Sequence, residues 1–177
     1  MIFLFRMVSD ENQDFLRDVI TSGTDTFLDF HHCIQENLNY DPSQLASFFI
    51  TNENWEKQKE ITLIDITEDT AFDTETMDRA VIGETVSEVN DRMIYVFDFF
   101  SERAFFIELI EKSDQKTGKK TPFVAHAQGQ APQQLAMDIM DDEEAAGMDQ
   151  EFDEKDEDRD DLWLDDIDPD SLDPDDF

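Results

Sequence analysis

Residues 93–111 read MIYVFDFFSERAFFIELIE, two apolar runs separated by the polar Ser101-Glu102-Arg103. Both runs are rich in aromatic and β-branched side chains, and the short polar gap predicts two antiparallel strands joined by a tight turn. In the first run Met93, Tyr95, Phe97 and Phe99 fall on one face, and Ile94, Val96 and Phe100 on the other. A strand apolar on both faces belongs in the interior of a sheet. Asp98 is the one charged residue within that run.

Working outward, MIFLFRMV at 1–8 and DFLRDVITS at 14–22 predict an opening strand pair across a polar turn. Thr26 precedes Phe27, with Asp29 three positions on, a capping-box pattern for a helix running to about Leu38. Phe27, His31, Ile34 and Leu38 recur at helical spacing, with Phe30 beside them, so His31 lies on the buried face. Asp41-Pro42 is expected to stop the helix. LASFFIT at 45–51 predicts a further strand, then NENWEKQKE a turn that folds Trp55 back onto the sheet, and ITLIDI at 61–66 the return strand. ETMDRAVIGETV suggests one or two helical turns, and QQLAMDIMDDEEAA a last helix. The sum is an α+β domain over residues 1–135, an antiparallel or mixed sheet with one main helix packed on a face.

Composition changes after that domain. The chain has 177 residues with a formal net charge of -33, and residues 138–177 alone hold 21 acids against Lys155 and Arg159. The preceding 137 residues carry a net of -14 and 14 of the 16 phenylalanines, so the core-forming material lies there. Residues 136–177 are expected to be an acidic, largely disordered tail. The overall charge disfavours binding to a nucleic-acid backbone by the full chain, because phosphates demand Lys and Arg. The single cysteine, Cys33, excludes an intrachain disulfide and fits a reducing compartment. No apolar run approaches the roughly 20 residues of a membrane span, and MIFLFRMVSD lacks the basic leader of a signal peptide, so a cytoplasmic protein is the expectation.

Chemistry-bearing candidates are few. His31, Asp98 and His126 are the residues from which a general base or a divalent-metal site would be assembled, but their spacing is not diagnostic. A histidine on an apolar helix face more often satisfies the core, and an aspartate at a strand end more often accepts hydrogen bonds from the next turn. Cys33 has no base at recognisable spacing, and no motif calls for a cofactor, a metal or a catalytic residue. KSDQKTGKK at 112–120 is a basic patch of the kind found in solvated loops.

Several segments together resemble the plasmid pRi ORF-three-like family of uncharacterised, mobile-element-associated passenger proteins. The matching residues are Thr26, Phe30 and His31; Leu45 and Phe48; Tyr95, Phe97, Asp98 and Phe99; Ile107 and Glu111; and the GQAP of 129–132, spanning roughly residues 1–135. The resemblance implies a fold and a loose association with mobile elements, without an activity. It also implies departures: Phe100 stands where relatives have Gly, Ser101 for Asp, Arg103 for Trp, Phe105 for His, Tyr40 for Trp and Gln44 for His. If those polar groups form a site in relatives, this chain has lost most of it.

The last residues, DDLWLDDIDPDSLDPDDF at 160–177, set apolar side chains into an acidic run. Repulsion between like charges explains the acids as a solubilising device. It does not explain Leu162, Trp163, Leu164, Ile167, Leu172 and Phe177, which have the spacing of anchors that dock into an apolar groove rimmed by Lys and Arg. The expected function is a non-enzymatic interaction module whose tail binds a basic protein surface. Alternatives are a nucleic-acid-linked protein whose tail competes with DNA or RNA, and a metal site or enzyme built on His31 and Asp98.

Overall fold

The computed structural model describes residues 1–65, 73–115 and 117–135. They lie in the first of two compact units, Met1–Asp138; the second, Ile139–Phe177, falls outside the described residues. The expected tail anchors and most of the expected last helix therefore lie outside them as well.

Eight strands form one mixed sheet: β1 (Ile2–Ser9), β2 (Leu16–Ser22), β3 (Ser47–Thr51), β4 (Lys57–Thr62), β5 (Asp73–Thr76), β6 (Arg92–Asp98), β7 (Arg103–Ser113) and β8 (Phe123–Gln128). Their spatial order is β5-β4-β3-β6-β7-β1-β2-β8. Every pairing is antiparallel except β4 with β5. Among the described residues two helices accompany the sheet, α1 (Phe27–Leu38) and the single-turn α2 (Ile82–Thr85). The mixed sheet expected from the sequence is present, but with eight strands and few helices the fold is more sheet-rich than a sheet with one main helix packed on a face. β5 is short and polar, and β8 is an exposed edge strand, so neither carries the alternation that marks a half-buried strand.

The α1 connection runs from β2 to β3, which β1, β7 and β6 separate in the sheet, so one helix spans the middle of the core face. Thr26 starts it as expected, its hydroxyl accepting from the Asp29 N–H while the Asp29 carboxylate accepts from the Thr26 N–H. The stop is Asn39, left-handed at φ 54°, which returns its N–H to the last turn two residues before Asp41. Asn39 rather than Asp41-Pro42 ends the helix.

Side chains alternate across the sheet. Phe3, Phe5 and Met7 of β1, Met93, Tyr95 and Phe97 of β6, and Phe105, Ile107 and Leu109 of β7 share the core face with Phe48 and Ile61. Phe27, Phe30 and Ile34 of α1 close over it: Phe30 lies 5.4 Å from Phe5 and 5.5 Å from Phe48, ring centre to ring centre. The other face carries a smaller cluster, Phe49, Ile94 and Val96, against which Trp55, Ala104 and Phe106 pack. Trp55 does fold back, edge-on to Phe106 at 5.1 Å, with the Arg92 guanidinium over its ring. It holds φ at 65°, a conformation costly for a bulky residue and repaid by that packing.

Three local expectations change. β4 begins at Lys57, inside the segment read as a turn, and ends at Thr62, so only the first two residues of ITLIDI belong to it. ETMDRAVIGETV is divided between the end of β5 and α2. Phe99 and Phe100 do not extend the faces of β6; they sit in the β6–β7 turn, and Phe100 is 98% exposed.

Candidate functional site

His31 and Tyr95, both matched in the resemblance, meet in the core. The Tyr95 hydroxyl lies 2.8 Å from His31 Nδ1 and accepts from Gln35 Nε2 at 2.7 Å. With Gln35 donating to that oxygen, the phenolic hydrogen is directed to Nδ1, which accepts it as a neutral imidazole. Burial, reinforced by neighbouring His32, pushes His31 down to about 4, and burial raises Tyr95 above the usual phenol range. Tyr95 is in turn held between Phe48 at 4.7 Å and Phe105 at 6.5 Å. A base this acidic and this enclosed is a poor proton acceptor for any substrate in water; the trio orients α1 on the sheet.

Asp98 is elsewhere and differently employed. One carboxylate oxygen accepts from the Phe100 and Ser101 N–H groups, closing the β6–β7 turn, and the other lies 3.8 Å from Arg103. The Ser101 and Phe100 N–H groups and Arg103 hold its carboxyl below the usual carboxylate range. Its partners do not include His31. His126, on the exposed strand β8, is opposite Asp18 in the β2–β8 register. The His31–Asp98–His126 constellation is thus not assembled, and among the described residues no group of three or more His, Cys, Asp or Glu is placed to hold a metal ion.

What the motif positions do assemble is a strap. After β8 the chain from Gln128 to Gln134 crosses one end of the sheet, tied down at nearly every step. Arg17 donates to the Gln128 and Gly129 carbonyls, Asn12 to Gln130, and Tyr40 to Pro132 at 2.6 Å. Arg103 donates to Gln134, whose side chain exchanges hydrogen bonds with the Asp41 backbone. Arg103 is itself gripped bidentately by Glu11 at 2.9 and 2.8 Å. Gly129 is at φ 67°, and a Cβ there would run into the Asp14 backbone, so only glycine passes. Replacing Gly129 with alanine is expected to cost about 2 kcal/mol by combining that conformation with overpacking. Denaturant titration checks it, with accelerated proteolysis after residue 128 as the local signature. Sequence reading found the GQAP motif but not its tethers, because Arg17, Tyr40 and Arg103 lie 26 or more positions away from it.

A cleft along α1 was not foreseen. Asp29, His32, Cys33, Glu36 and Asn37, one face of the helix, line a cleft of about 620 Å³ whose other wall is Lys120–Val124, including the start of β8. Asp29, His32, Glu36 and Asn37 are exposed. Burial, then Glu36 and Asp25, push the Cys33 thiol up to about 11, so it stays protonated and is not a nucleophile at neutral pH. A larger hollow of about 730 Å³ lies between the Asn52–Asn54 and Glu88–Asp91 turns, but its arginine, Arg92, is already paired with Glu108 at 3.0 Å and with the Glu53 carbonyl. In the 112–120 segment, Lys112 reaches Glu88 at 3.4 Å and Lys119 lies over the Phe123 ring, so these cations do not converge on an anion site. Among the described residues no helix is long and apolar enough to cross a membrane.

Comparison with known proteins adds family and fold. A family model described as plasmid pRiA4b ORF-3-like protein matches residues 7–176. The match continues through the acidic segment, beyond the end near residue 135 expected from the motifs, the last of which stops at Pro132. A search of curated proteins finds no match. Among solved structures, the crystal structure of a protein of unknown function from Methanosarcina mazei Go1 is similar with a TM-score of 0.57 and 17% identity, over 71% of this chain and 68% of that one. That likeness is one of fold.

Proposed function

The chain belongs to the plasmid pRiA4b ORF-3-like family, and from that premise we propose that it is a protein-interaction module: residues 1–135 serve as a rigid mount, and residues 136–177 bind a basic protein surface. The carrying observation is the composition of the C-terminal segment, 21 acids in 40 residues interrupted by Trp163, Ile167 and Phe177. The acids supply long-range attraction and the apolar side chains supply short-range burial. Supporting it from the other side, the domain's candidate groups His31 and Asp98 are spent on structure, His31 on Tyr95 and Asp98 on its turn.

The test keeps the net charge constant. Trp163→Ala, Ile167→Ala and Phe177→Ala together leave every acid in place, so a purely solubilising segment is unaffected. Affinity capture with the full chain and with this triple variant is expected to show basic proteins retained by the first and lost by the second. Identical sets of retained proteins would refute the reading. Salt-sensitive nucleic acid, appearing only when residues 136–177 are removed, would favour electrostatic competition instead.

A further inference from the structure

We infer that the cleft between α1 and β8 receives an extended, basic peptide segment of a partner, which adds to β8 as a ninth strand. This inference concerns the folded domain and stands independently of the C-terminal reading. Among the described residues β8 ends the spatial order of the sheet, with β2 its only partner. An edge strand leaves alternate N–H and C=O groups unpaired, and proteins commonly blunt such edges with charges, proline or a covering element. The six residues of β8, FVAHAQ, contain no Lys, Arg, Asp, Glu or Pro, and the last four are exposed.

The edge also has a second wall. The exposed face of α1 from Asp29 to Asn37 lines the cleft opposite Lys120–Val124, where β8 begins. At 1.5 Å per residue that face is about 12 Å long, a length that takes about four residues of extended chain at 3.4 Å each. An added strand points alternate side chains to opposite sides of the sheet, and those turned toward α1 meet Asp29, His32 and Glu36.

Charge selects the occupant. Asp29 and Glu36 favour Lys or Arg at the positions that face the helix, and the net charge of -14 on residues 1–137 draws such a segment in. A second copy joining β8 to β8 would bring two acidic clefts and two strongly anionic chains together. Lys120 stands at the end of the cleft where β8 begins, so the peptide places an uncharged or acidic residue there. Backbone pairing supplies affinity, and the alternation of basic residues supplies selectivity.

The probe is an end-blocked peptide of three Lys-Val repeats, added to the isotopically labelled full chain. Amide shifts are expected at Val124–Gln128 and along Asp29–Asn37, with exchange of β8 amides slowed roughly tenfold. A peptide of the same sequence with every second amide N-methylated keeps its charge but is unable to form the strand ladder, and is expected to bind this site at least about tenfold more weakly. Glu36→Lys, on an exposed position outside the core, is expected to weaken binding roughly fivefold. The triple Trp163/Ile167/Phe177→Ala variant is expected to retain β8 protection unchanged, separating this site from the C-terminal one. Equal binding by the N-methylated peptide, equal binding by three Glu-Val repeats, or loss of β8 protection in the triple variant would each overturn the inference. So would concentration-dependent β8 protection in the chain alone, which assigns the edge to a second copy.

Discussion

Replacing Phe105 with alanine is expected to destabilise the domain by about 3–5 kcal/mol, the cost of removing a fully enclosed ring from a core that closes only partly over the gap. Phe105 is 0% exposed and lies within 4.7 Å of Phe97, 5.0 Å of Phe15, 6.3 Å of Tyr40 and 6.5 Å of Tyr95, ring centre to ring centre. Those four rings come from β6, from the turn before β2, and from the segment after α1. The residue therefore fastens elements that are distant in sequence but share one end of the core face. Tyr40 also holds Pro132, so the damage is expected to spread to the strap. Denaturant midpoints of native protein, Phe105→Leu and Phe105→Ala check this. Leucine should lose less than half as much as alanine, because it refills most of the volume. A loss below about 1 kcal/mol for alanine would show that the ring is not a keystone.

Which parts of this arrangement were legible follows from what each residue packs against. β6 announces itself because both of its faces are apolar, a pattern that an interior strand satisfies, and the polar Ser101-Glu102-Arg103 gap marks β7 as its hairpin partner. The α1 start was equally clear, since Thr26 and Asp29 signal through local hydrogen bonds that need no tertiary partner. β8 was invisible because an edge strand facing solvent is under little pressure to alternate, and FVAHAQ reads as readily as loop. The tethers of the strap were hidden for the opposite reason. Arg17 and Arg103 look like ordinary surface cations in sequence, and only the fold reveals that they close over backbone carbonyls more than 30 positions away. His31 was read correctly as a core-facing histidine, yet its partner Tyr95 was 64 residues distant and unpaired in the reading. Phe100 shows the converse error: alternation continued past Asp98 on paper, while the carboxylate of Asp98 was already closing the turn.

The burial of His31, with His32 beside it, makes the domain acid-sensitive in a defined window. An unfolded histidine titrates near 6.5, whereas folded His31 is pushed down to about 4. Between those values the unfolded chain binds a proton that the folded chain refuses, so stability falls as pH falls from 6.5 toward 4, and the contribution is complete above 6.5. The difference is on the order of 3 kcal/mol. Asp and Glu titrate near the lower end of the same range, and their protonation relieves the repulsion of a strongly anionic chain, so the raw profile mixes opposite trends. A His31→Gln comparison isolates the histidine, because Gln presents a carbonyl oxygen to the Tyr95 hydroxyl without titrating and leaves every carboxylate in place. Subtracting the two profiles, measured by denaturant unfolding at half-unit steps, is expected to leave a curve that declines from pH 6.5 to 4 and is flat above it. A difference curve flat across the whole window would mean that His31 is protonated as readily when folded as when unfolded. Its imidazole would then have to accept a proton at the nitrogen that Tyr95 now occupies, and the hydrogen-bond order drawn for the core would be wrong.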